Sequence, residues 1–363
     1  MTSPDFRRKG SGRVSNYWCT ADPSVRDFYR GRKVLVLGAD GFLGTNCVEA
    51  LKALESDVSI VTRRAQPSAA NISGTVFRGD IRDPELASAA VQGQDVVVDL
   101  LGAAGAVDSN RDPNSSLEDE LRAHLSVFQA CAVTRHSPVV LFCSSRLVFG
   151  VPKYLPVDEN HPLAPGSIYA AHKITAEKYL EVFARTHGLR SCTFRLSNPY
   201  GPHQAEGARS YGIINQFLRN AARGKGIRIF GDGRQVRDYV HVEDVMGSLL
   251  PCAMNSKCHG QIFNFGGSFT VSLRDAAELI ARLAGKVRVT YEPWPTDYKA
   301  VETGDYATDF TKIDSVLNLP PQRSIEEGFL DVLHSYRIEM THPAFGAVAD
   351  ARASSVVAGG IGK

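Results

Sequence analysis

Two side chains with complementary proton chemistry, Tyr169 and Lys173, stand four residues apart in the sequence Tyr-Ala-Ala-His-Lys. On a helix this spacing places both side chains on one face. A phenol titrates at about pH 10 when it is unperturbed, and a neighbouring ammonium favours the phenolate. The break at residues 165–167 (Pro-Gly-Ser) predicts that the helix begins close to Tyr169. We therefore interpret the pair as a general base and its activator.

A pair of hydroxyl groups, Ser144 and Ser145, follows the apolar run 138–143 (PVVLFC), which we interpret as a strand. Open α/β sheets bind their ligands at the carboxyl ends of strands. A serine at this edge can therefore hold the oxygen of a substrate. Taken alone, Tyr169 and Lys173 could instead be two neighbouring residues on the exposed face of a helix, without a catalytic role.

Three glycines, Gly38, Gly41 and Gly44, follow the predicted first strand, residues 33–37, and precede a helical pattern. Gly38 permits a tight turn, Gly41 lets backbone amides approach a pyrophosphate, and Gly44 lets the helix pack closely on the sheet. The positive end of the helix dipole favours phosphates. The loop predicts dinucleotide binding, and a tight packing turn is the alternative.

The second predicted strand ends in Thr62-Arg63-Arg64, where an acidic residue would serve a dinucleotide with a free 2′-hydroxyl. Arginine can pair with a 2′-phosphate, so Arg63 and Arg64 mildly favour NADP(H) over NAD(H). A solvated basic loop is the alternative interpretation. After the third strand, Asp80 is expected to accept a hydrogen bond from adenine and Ile81 to pack on its ring.

Strand-like and helix-like segments alternate from residue 33 to residue 196, with strands predicted over 95–101 and 191–196 among them. A helix predicted over 273–284 and a strand predicted over 286–292 complete the second half. This alternation predicts an α/β fold, a Rossmann-type doubly wound parallel sheet, with a smaller C-terminal α/β lobe that binds the substrate. The predicted divisions are an N-terminal extension (1–31, mostly loose, with a short helix near 25–29), a dinucleotide-binding domain (32–200), a lobe with some segments returning to the sheet (201–340) and a disordered tail (341–363).

Composition excludes several classes of protein. The formal net charge of the 363 residues is only +2, so no nucleic acid partner is implied, and no apolar run is long enough to cross a membrane. Seven cysteines are scattered without CxxC spacing, so we expect reduced thiols, a cytoplasmic location and no metal site.

Eight motifs in order resemble the extended short-chain dehydrogenase/reductases that act on nucleotide sugars, the NAD(P)-dependent epimerase/dehydratase family. The motifs, which span roughly residues 33 to 335, are GADGFLG, GDIRD, LLGAAG, SSRLVFG, YAAHK, FRLSNPYGP, IFGDGRQVRDYVHVEDV and GDYATDFTKI. The resemblance implies the catalytic triad Ser145, Tyr169 and Lys173. It also implies that the cofactor contacts come from Gly38, Gly41, Phe42, Leu43, Gly44, Arg63, Arg64, Asp80, Ile81, Leu101, Gly102, Ala103, Tyr169, Lys173 and Pro199.

A nucleotide-diphosphate sugar is the substrate that this resemblance implies. Its expected contacts are Ser144, Ser145, Arg146, Asn198, Asn215 and Arg237. Arg237 is expected to grip the diphosphate. Arg146 stands beside the active serine and either contacts an anionic substituent or pairs with a neighbouring acid. The resemblance also implies a homodimer formed through the helices predicted over 117–133 and 168–186, although their apolar residues could simply face the sheet.

The position that carries glutamate in the family's 4,6-dehydratases and uronate decarboxylases is Leu147 here. Leucine cannot transfer a proton, which counts against both reactions. A 4-epimerase that passes through a transient keto-sugar is slightly favoured. The alternative is an NADPH-dependent 4-keto-sugar reductase, towards which Arg63 and Arg64 lean. A dehydratase and a non-catalytic dinucleotide-binding protein are less favoured.

Overall fold

The computed structural model describes residues 22–67, 72–102, 105–203 and 212–341. The described strands are β1 Lys33–Leu37, β2 Asp57–Thr62, β3 Val76–Arg78, β4 Val96–Asp99, β5 Val139–Ser145, β6 Ser191–Leu196, β7 Asn198–Tyr200, β8 Ile227–Phe230, β9 Val236–His241, β10 Gln261–Phe265, β11 Thr270–Ser272 and β12 Val289–Glu292. The described α-helices are α1 Pro23–Tyr29, α2 Phe42–Ala53, α3 Pro84–Val91, α4 Ala106–Arg111, α5 Pro113–Ser116, α6 Ala123–Val133, α7 Ile168–His187, α8 Ile213–Ala222, α9 Val242–Leu249, α10 Leu273–Ala284, α11 Thr296–Ala300, α12 Thr311–Leu317 and α13 Ile325–Thr341.

A seven-stranded parallel sheet forms the centre of the fold, in the order β10-β6-β5-β4-β1-β2-β3. Both faces of the sheet are covered, because alternate residues of β1 enter different cores. Val34 and Val36 belong to the core on one face, and Leu35 and Leu37 to the core on the other. The predicted Rossmann-type fold is confirmed, and β10 is a segment that returns to the sheet from the second half of the chain.

Several predicted elements have different bounds, for local reasons. The strand predicted over 95–101 ends at Asp99, because the Asp99 carboxylate accepts a hydrogen bond from the Leu101 backbone N at 3.1 Å and turns the chain. The strand predicted over 286–292 begins only at Val289, after Lys286 with φ of 68°. The helix predicted over 117–133 contains a π-helical stretch, Leu117–Arg122, before α6.

The short helix predicted near residues 25–29 is present as α1, but it packs on the core and is not part of a loose extension. Asp22 caps it by accepting a hydrogen bond from the Ser24 backbone N at 2.9 Å. Val25 and Tyr29 are buried in the main core, and the Tyr29 hydroxyl donates to the Leu250 carbonyl oxygen at 2.8 Å. Residues 22–31 are therefore part of the Rossmann half, while residues 1–21 and the predicted tail beyond 341 lie outside the described residues.

The second lobe has its own core around α8, α10 and α13. Two small sheets frame it, one in the order β11-β9-β7 and one that pairs β12 with β8. Of the residues considered for a dimer contact, Val127, Ala130 and Leu180 are buried in the core of the single chain, as the alternative interpretation expected. None of the described helices has the length and apolar character that a membrane span would need.

Candidate active site

A cavity of about 730 Å³ opens where the carboxyl ends of the central strands meet the second lobe. Most of the predicted site residues line it. The lining includes Gly38, Gly41, Phe42, Leu43, Gly44, Arg63, Arg64, Asp80, Ile81, Leu101, Gly102, Ser144, Ser145, Arg146, Tyr169, Lys173, Asn198 and Pro199. Ala103 lies outside the described residues, and Asn215 and Arg237 are not in the lining.

The glycine loop forms a cradle in which Gly38 and Gly44 leave no room for a larger residue. Gly38 has φ of +73°, and a Cβ there would lie 2.6 Å from the Leu100 carbonyl oxygen. A Cβ at Gly44 would lie 2.0 Å from the Gly38 carbonyl oxygen. Gly41 caps helix α2 without a side chain, which leaves the backbone N–H groups of the first turn open towards the cavity. This cradle fits the pyrophosphate of a dinucleotide.

The adenosine end of the cavity carries charges of both signs. Arg63 lies 4.0 Å from Asp80 and 3.7 Å from Asp119, and Arg64 lies 4.0 Å from Asp40. The side chains of Arg63 and Arg64 are 63% and 46% exposed, and both residues line the cavity. Arg82 donates to the Asp80 carboxylate at 3.0 Å, and this pairing holds the pKa of Asp80 below its usual value.

Ser145, Tyr169 and Lys173 come together at the inner end of the cavity. Ser167 caps helix α7 by accepting from the Ala170 backbone N at 3.2 Å, so Tyr169 lies in the first helical turn as predicted. The Tyr169 hydroxyl is hydrogen-bonded to the Ser145 side chain, which lies at the end of β5. The Lys173 Nζ lies 5.7 Å from the centre of the Tyr169 ring.

The protonation of Tyr169 differs from the sequence-based expectation. Burial raises the pKa of Tyr169, the nearby carboxylate of Glu120 raises it further, and the hydrogen bond with Ser145 only partly opposes them. The spacing of Tyr169 and Lys173 indicates a positive charge near the phenol but gives no information about the burial of the phenol. Glu120, a buried residue of the π-helical stretch, carried no recognisable signal in the sequence.

Two further residues that the sequence argument missed lie behind Lys173. His124 of α6 is within 3.2 Å of the Lys173 Nζ, and its other ring nitrogen lies 2.7 Å from the Asp99 carboxylate. All three side chains are buried. A single signal was present in the sequence, namely an aspartate inside the otherwise apolar run that forms β4.

Arg146 forms the wall of the cavity next to Ser145. Its Nε donates to the Asn198 side-chain oxygen at 3.1 Å, and its Nη1 donates to the Thr303 hydroxyl at 3.0 Å. Its guanidinium lies 4.9 Å from the centre of the Tyr306 ring. These partners are neutral, and no ion pair among the described residues includes Arg146. Burial and the nearby Arg237 lower the pKa of Arg146 to about 10.

Three of the predicted substrate contacts are engaged within the protein. Arg237 is buried and ion-paired with Glu302. The Asn215 side-chain oxygen accepts from the Gly201 backbone N at 2.9 Å. The Ser144 hydroxyl lines the cavity but donates to the Glu177 carboxylate at 2.5 Å. In this structure Arg237 and Asn215 therefore hold neighbouring segments together and do not face the cavity.

This chain is similar to known proteins in both sequence and structure. The UDP-glucose 4-epimerase of Mycolicibacterium smegmatis is 30% identical over 316 residues, which cover 84% of this chain and 98% of that protein. The dTDP-glucose 4,6-dehydratase of an Actinoplanes species is 27% identical over 322 residues, which cover 84% and 98%. The solved structure of the Thermus thermophilus UDP-glucose 4-epimerase in complex with NAD superposes with a TM-score of 0.75 at 26% identity, covering 84% of this chain and 99% of that one.

The family model described as the NAD dependent epimerase/dehydratase family matches residues 34–266. That span reaches from the first strand of the dinucleotide domain to the end of β10. It includes the glycine cradle and all three members of the triad. Since it covers well over half of the 363 residues, we conclude that this chain belongs to the NAD-dependent epimerase/dehydratase family and is an enzyme that uses a nicotinamide dinucleotide.

Proposed function

We propose that the enzyme is a nucleotide-diphosphate-sugar epimerase that works through a transient keto-sugar. The observation that carries this proposal is the meeting of Ser145, Tyr169 and Lys173 in one cavity with the glycine cradle, while Leu147 supplies no acid to the same cavity. An epimerase needs only the triad and enough room for the keto-sugar to turn. A 4,6-dehydratase needs a further proton-transferring side chain.

Ser145 and Tyr169 act directly on the sugar in this proposal, and the charge of Lys173 favours the phenolate of Tyr169. Ser145 holds a hydroxyl of the sugar, and Tyr169 takes the proton of that hydroxyl. When bound, the dinucleotide supplies hydride exchange at the same carbon and, in its oxidised form, a positive charge beside the phenol. The keto-sugar then presents its other face, and Tyr169 returns the proton to the oxygen, which gives the epimer without net oxidation.

The proposed substrate is a nucleotide-diphosphate sugar held partly by Arg146 and Asn198. Of the five N–H donors of the Arg146 guanidinium, two go to described residues. Because the residue lines the cavity, its other donors are available to an oxygen of the substrate. An arginine without a carboxylate partner suits an anionic group, since charge-assisted hydrogen bonds are roughly twice as strong as neutral ones.

The choice of cofactor follows from the two arginines at the end of β2. We propose that Arg63 and Arg64 favour the 2′-phosphate of NADP(H), although the Thermus thermophilus relative was solved with NAD. Titration of the purified protein with NADH and with NADPH, followed by the fluorescence of the reduced nicotinamide, tests this choice. Tighter binding of NADPH supports it, and tighter binding of NADH contradicts it.

The alternative is a 4-keto-sugar reductase that consumes NADPH. The presence of Arg63 and Arg64 favours the reductase, because both arginines suit a 2′-phosphate. NADPH, which carries that phosphate, is the dinucleotide used for reduction. A reductase would use the same triad in the opposite direction, with Tyr169 donating its proton to the oxygen of the keto-sugar.

A single incubation distinguishes the epimerase from the reductase. The enzyme is mixed with UDP-glucose or UDP-galactose and the oxidised dinucleotide, without an external hydride donor, and the sugars are separated by chromatography. We expect interconversion without net change in the dinucleotide. Turnover of a 4-keto-sugar only with stoichiometric NADPH supports the reductase instead.

The Tyr169→Phe variant should lower either activity by about a thousandfold or more, and full retention of function in this variant would indicate a non-catalytic protein.

A further inference from the structure

The buried ammonium of Lys173 has an acceptor for each of its three N–H donors. It donates to the Leu101 carbonyl oxygen at 3.0 Å, to the His124 Nε2 at 3.2 Å and to the Cys143 carbonyl oxygen at 3.3 Å. The residue is only 2% exposed. A buried ammonium is unfavourable unless it is paired and fully hydrogen-bonded. The two carbonyl groups satisfy its hydrogen bonds but bring no full negative charge.

His124 connects this ammonium to a carboxylate. Its Nδ1 lies 2.7 Å from the Asp99 Oδ2, so the ring can accept from Lys173 through Nε2 while donating its Nδ1 proton to Asp99. Burial lowers the pKa of His124, and the Lys173 charge adds to this effect against the pull of Asp99. The ring is therefore neutral, in the Nδ1–H tautomer.

Asp99 supplies the negative charge. Burial acts to raise its pKa, but His124, Lys173 and the hydrogen bond from the Leu101 backbone N outweigh burial and hold the pKa of Asp99 below its usual value. Asp99 and His124 are both fully buried, so solvent does not screen their interaction with Lys173. A neutral imidazole thus stands between one buried negative charge and one buried positive charge.

We propose that Asp99 and His124 are positioning residues that supply the counter-charge of the Lys173 ammonium and direct that ammonium beside Tyr169. The placement of Lys173 follows from the described residues alone, whereas its effect on catalysis rests on the proposed function, in which the ammonium favours the Tyr169 phenolate. The arrangement itself is a property of the described residues. Asp99 acts as the counter-charge, and His124 links it to the ammonium by donating one hydrogen bond to Asp99 and accepting one from Lys173.

Other titratable groups also face this cluster and must be considered in any pH-dependent experiment. On the described elements packed around it, they are Glu120 of the π-helical stretch, Cys131 of α6, Cys143 of β5, and Tyr169 and His172 of α7. Burial raises the pKa of the Cys143 thiol to about 12 and raises that of Cys131. Neither thiol therefore supplies a competing negative charge near neutral pH.

The Asp99→Asn variant removes the charge and keeps an oxygen that can accept from His124. Without its counter-charge the ammonium gives up its proton more readily, so activity should be lost as the pH rises. We expect kcat to fall about tenfold at pH 7 and about a hundredfold at pH 9. The dinucleotide Kd should change less than about threefold. Asp95→Asn, at a partly exposed carboxylate just before the same strand, is the matched control and should leave the profile unchanged.

A substitution of His124 tests whether the link between Asp99 and Lys173 is needed for activity at high pH. His124→Leu should reproduce the loss at high pH, and His124→Gln, which retains an acceptor, should recover part of it. A merely structural role would lower kcat by one factor at every pH and leave the shape of the profile unchanged. A uniform loss of that kind in Asp99→Asn and His124→Leu would overturn the proposal.

Two NMR measurements remain valid if a variant fails to fold or if the proposed epimerisation is not found. In the wild-type enzyme, the ¹⁵N shifts of His124 should show the Nδ1–H tautomer from pH 6 to pH 9. The ¹³Cε shift of Lys173, assigned with Lys173→Met, should report an ammonium over the same range. An Nε2–H tautomer, an imidazolium or a neutral amine at pH 7 contradicts the proposal. Loss of epimerisation with these shifts as expected would refute only the proposed reaction.

Discussion

The two sides of the active-site cavity are held by different kinds of contact. On the Rossmann side, Lys173 donates to two backbone carbonyl oxygens, and the glycine cradle is closed by backbone atoms. On the proposed substrate wall, Arg146 is held by the side chains of Asn198 and Thr303, and behind this wall Arg237 is held by the side chain of Glu302. These wall contacts join residues that are 52, 157 and 65 positions apart in the chain.

This difference indicates which part of the function can change by substitution. Backbone atoms that lie in packed strands and turns cannot move far, so a substitution that collides with the backbone of the cradle should remove cofactor binding outright. Contacts between side chains can be exchanged one at a time. Substitutions in the substrate wall should therefore have graded effects and alter the choice of substrate more than the reaction.

The largest effect should come from Gly44→Ala. The new Cβ would lie 2.0 Å from the Gly38 carbonyl oxygen and 2.6 Å from the Ala39 Cα, both of which are backbone atoms. Because these backbone atoms cannot move aside, we expect overpacking near the upper end of the usual range, about 3 kcal/mol. This should lower dinucleotide affinity by roughly a hundredfold, as measured by fluorescence titration, and reduce the melting temperature. Gly166→Ala is the control, because a Cβ there meets no atom within 4 Å. Equal affinity in the two variants would show that the cradle is not rigid.

The Rossmann side is also the part that the sequence predicts best. The bounds of β6 and α10 agree with the sequence patterns, and the cradle and triad lie as expected, because their positions depend on local spacing and on strand ends. Asp99 and His124 were missed because their contact requires the packing of α6 on β4, which a single sequence does not reveal.

The substrate wall was predicted less well, for a related physical reason. Arg237 was assigned to the diphosphate, but Glu302, which lies on a distant segment, pairs with it. Asn215 was assigned to the nucleotide entrance, yet it accepts a hydrogen bond from the Gly201 backbone. A long polar side chain has many candidate partners, and which of them it meets depends on the assembled lobe.

An intermediate effect is expected for Arg146→Leu. Loss of a charge-assisted hydrogen bond to the substrate removes about 1.5–3 kcal/mol. The KM for the nucleotide sugar should therefore rise roughly tenfold to a hundredfold, while kcat changes less. Arg234→Leu, at a largely exposed arginine in the turn before β9, is the control. A fall in kcat as large as the rise in KM would place Arg146 among the groups that act on the reacting atoms, contrary to the comparison of the two walls.

The smallest effect should come from Glu120→Gln, which leaves the cavity intact and changes a single buried charge. The carboxylate of Glu120 raises the pKa of Tyr169, so its removal should lower that pKa. A general base acts in its deprotonated form, and activity therefore rises as the pH passes the pKa of the base. The rising part of the pH profile of kcat should move to lower pH, with roughly twofold to tenfold more activity than the wild type at pH 6. Glu118→Gln, at an exposed glutamate in the same π-helical stretch, should leave the profile in place. A shift to higher pH would mean that Glu120 serves Tyr169 as a hydrogen-bonding partner rather than as an opposing charge. The charge of Glu120 would then not be what raises the pKa of Tyr169.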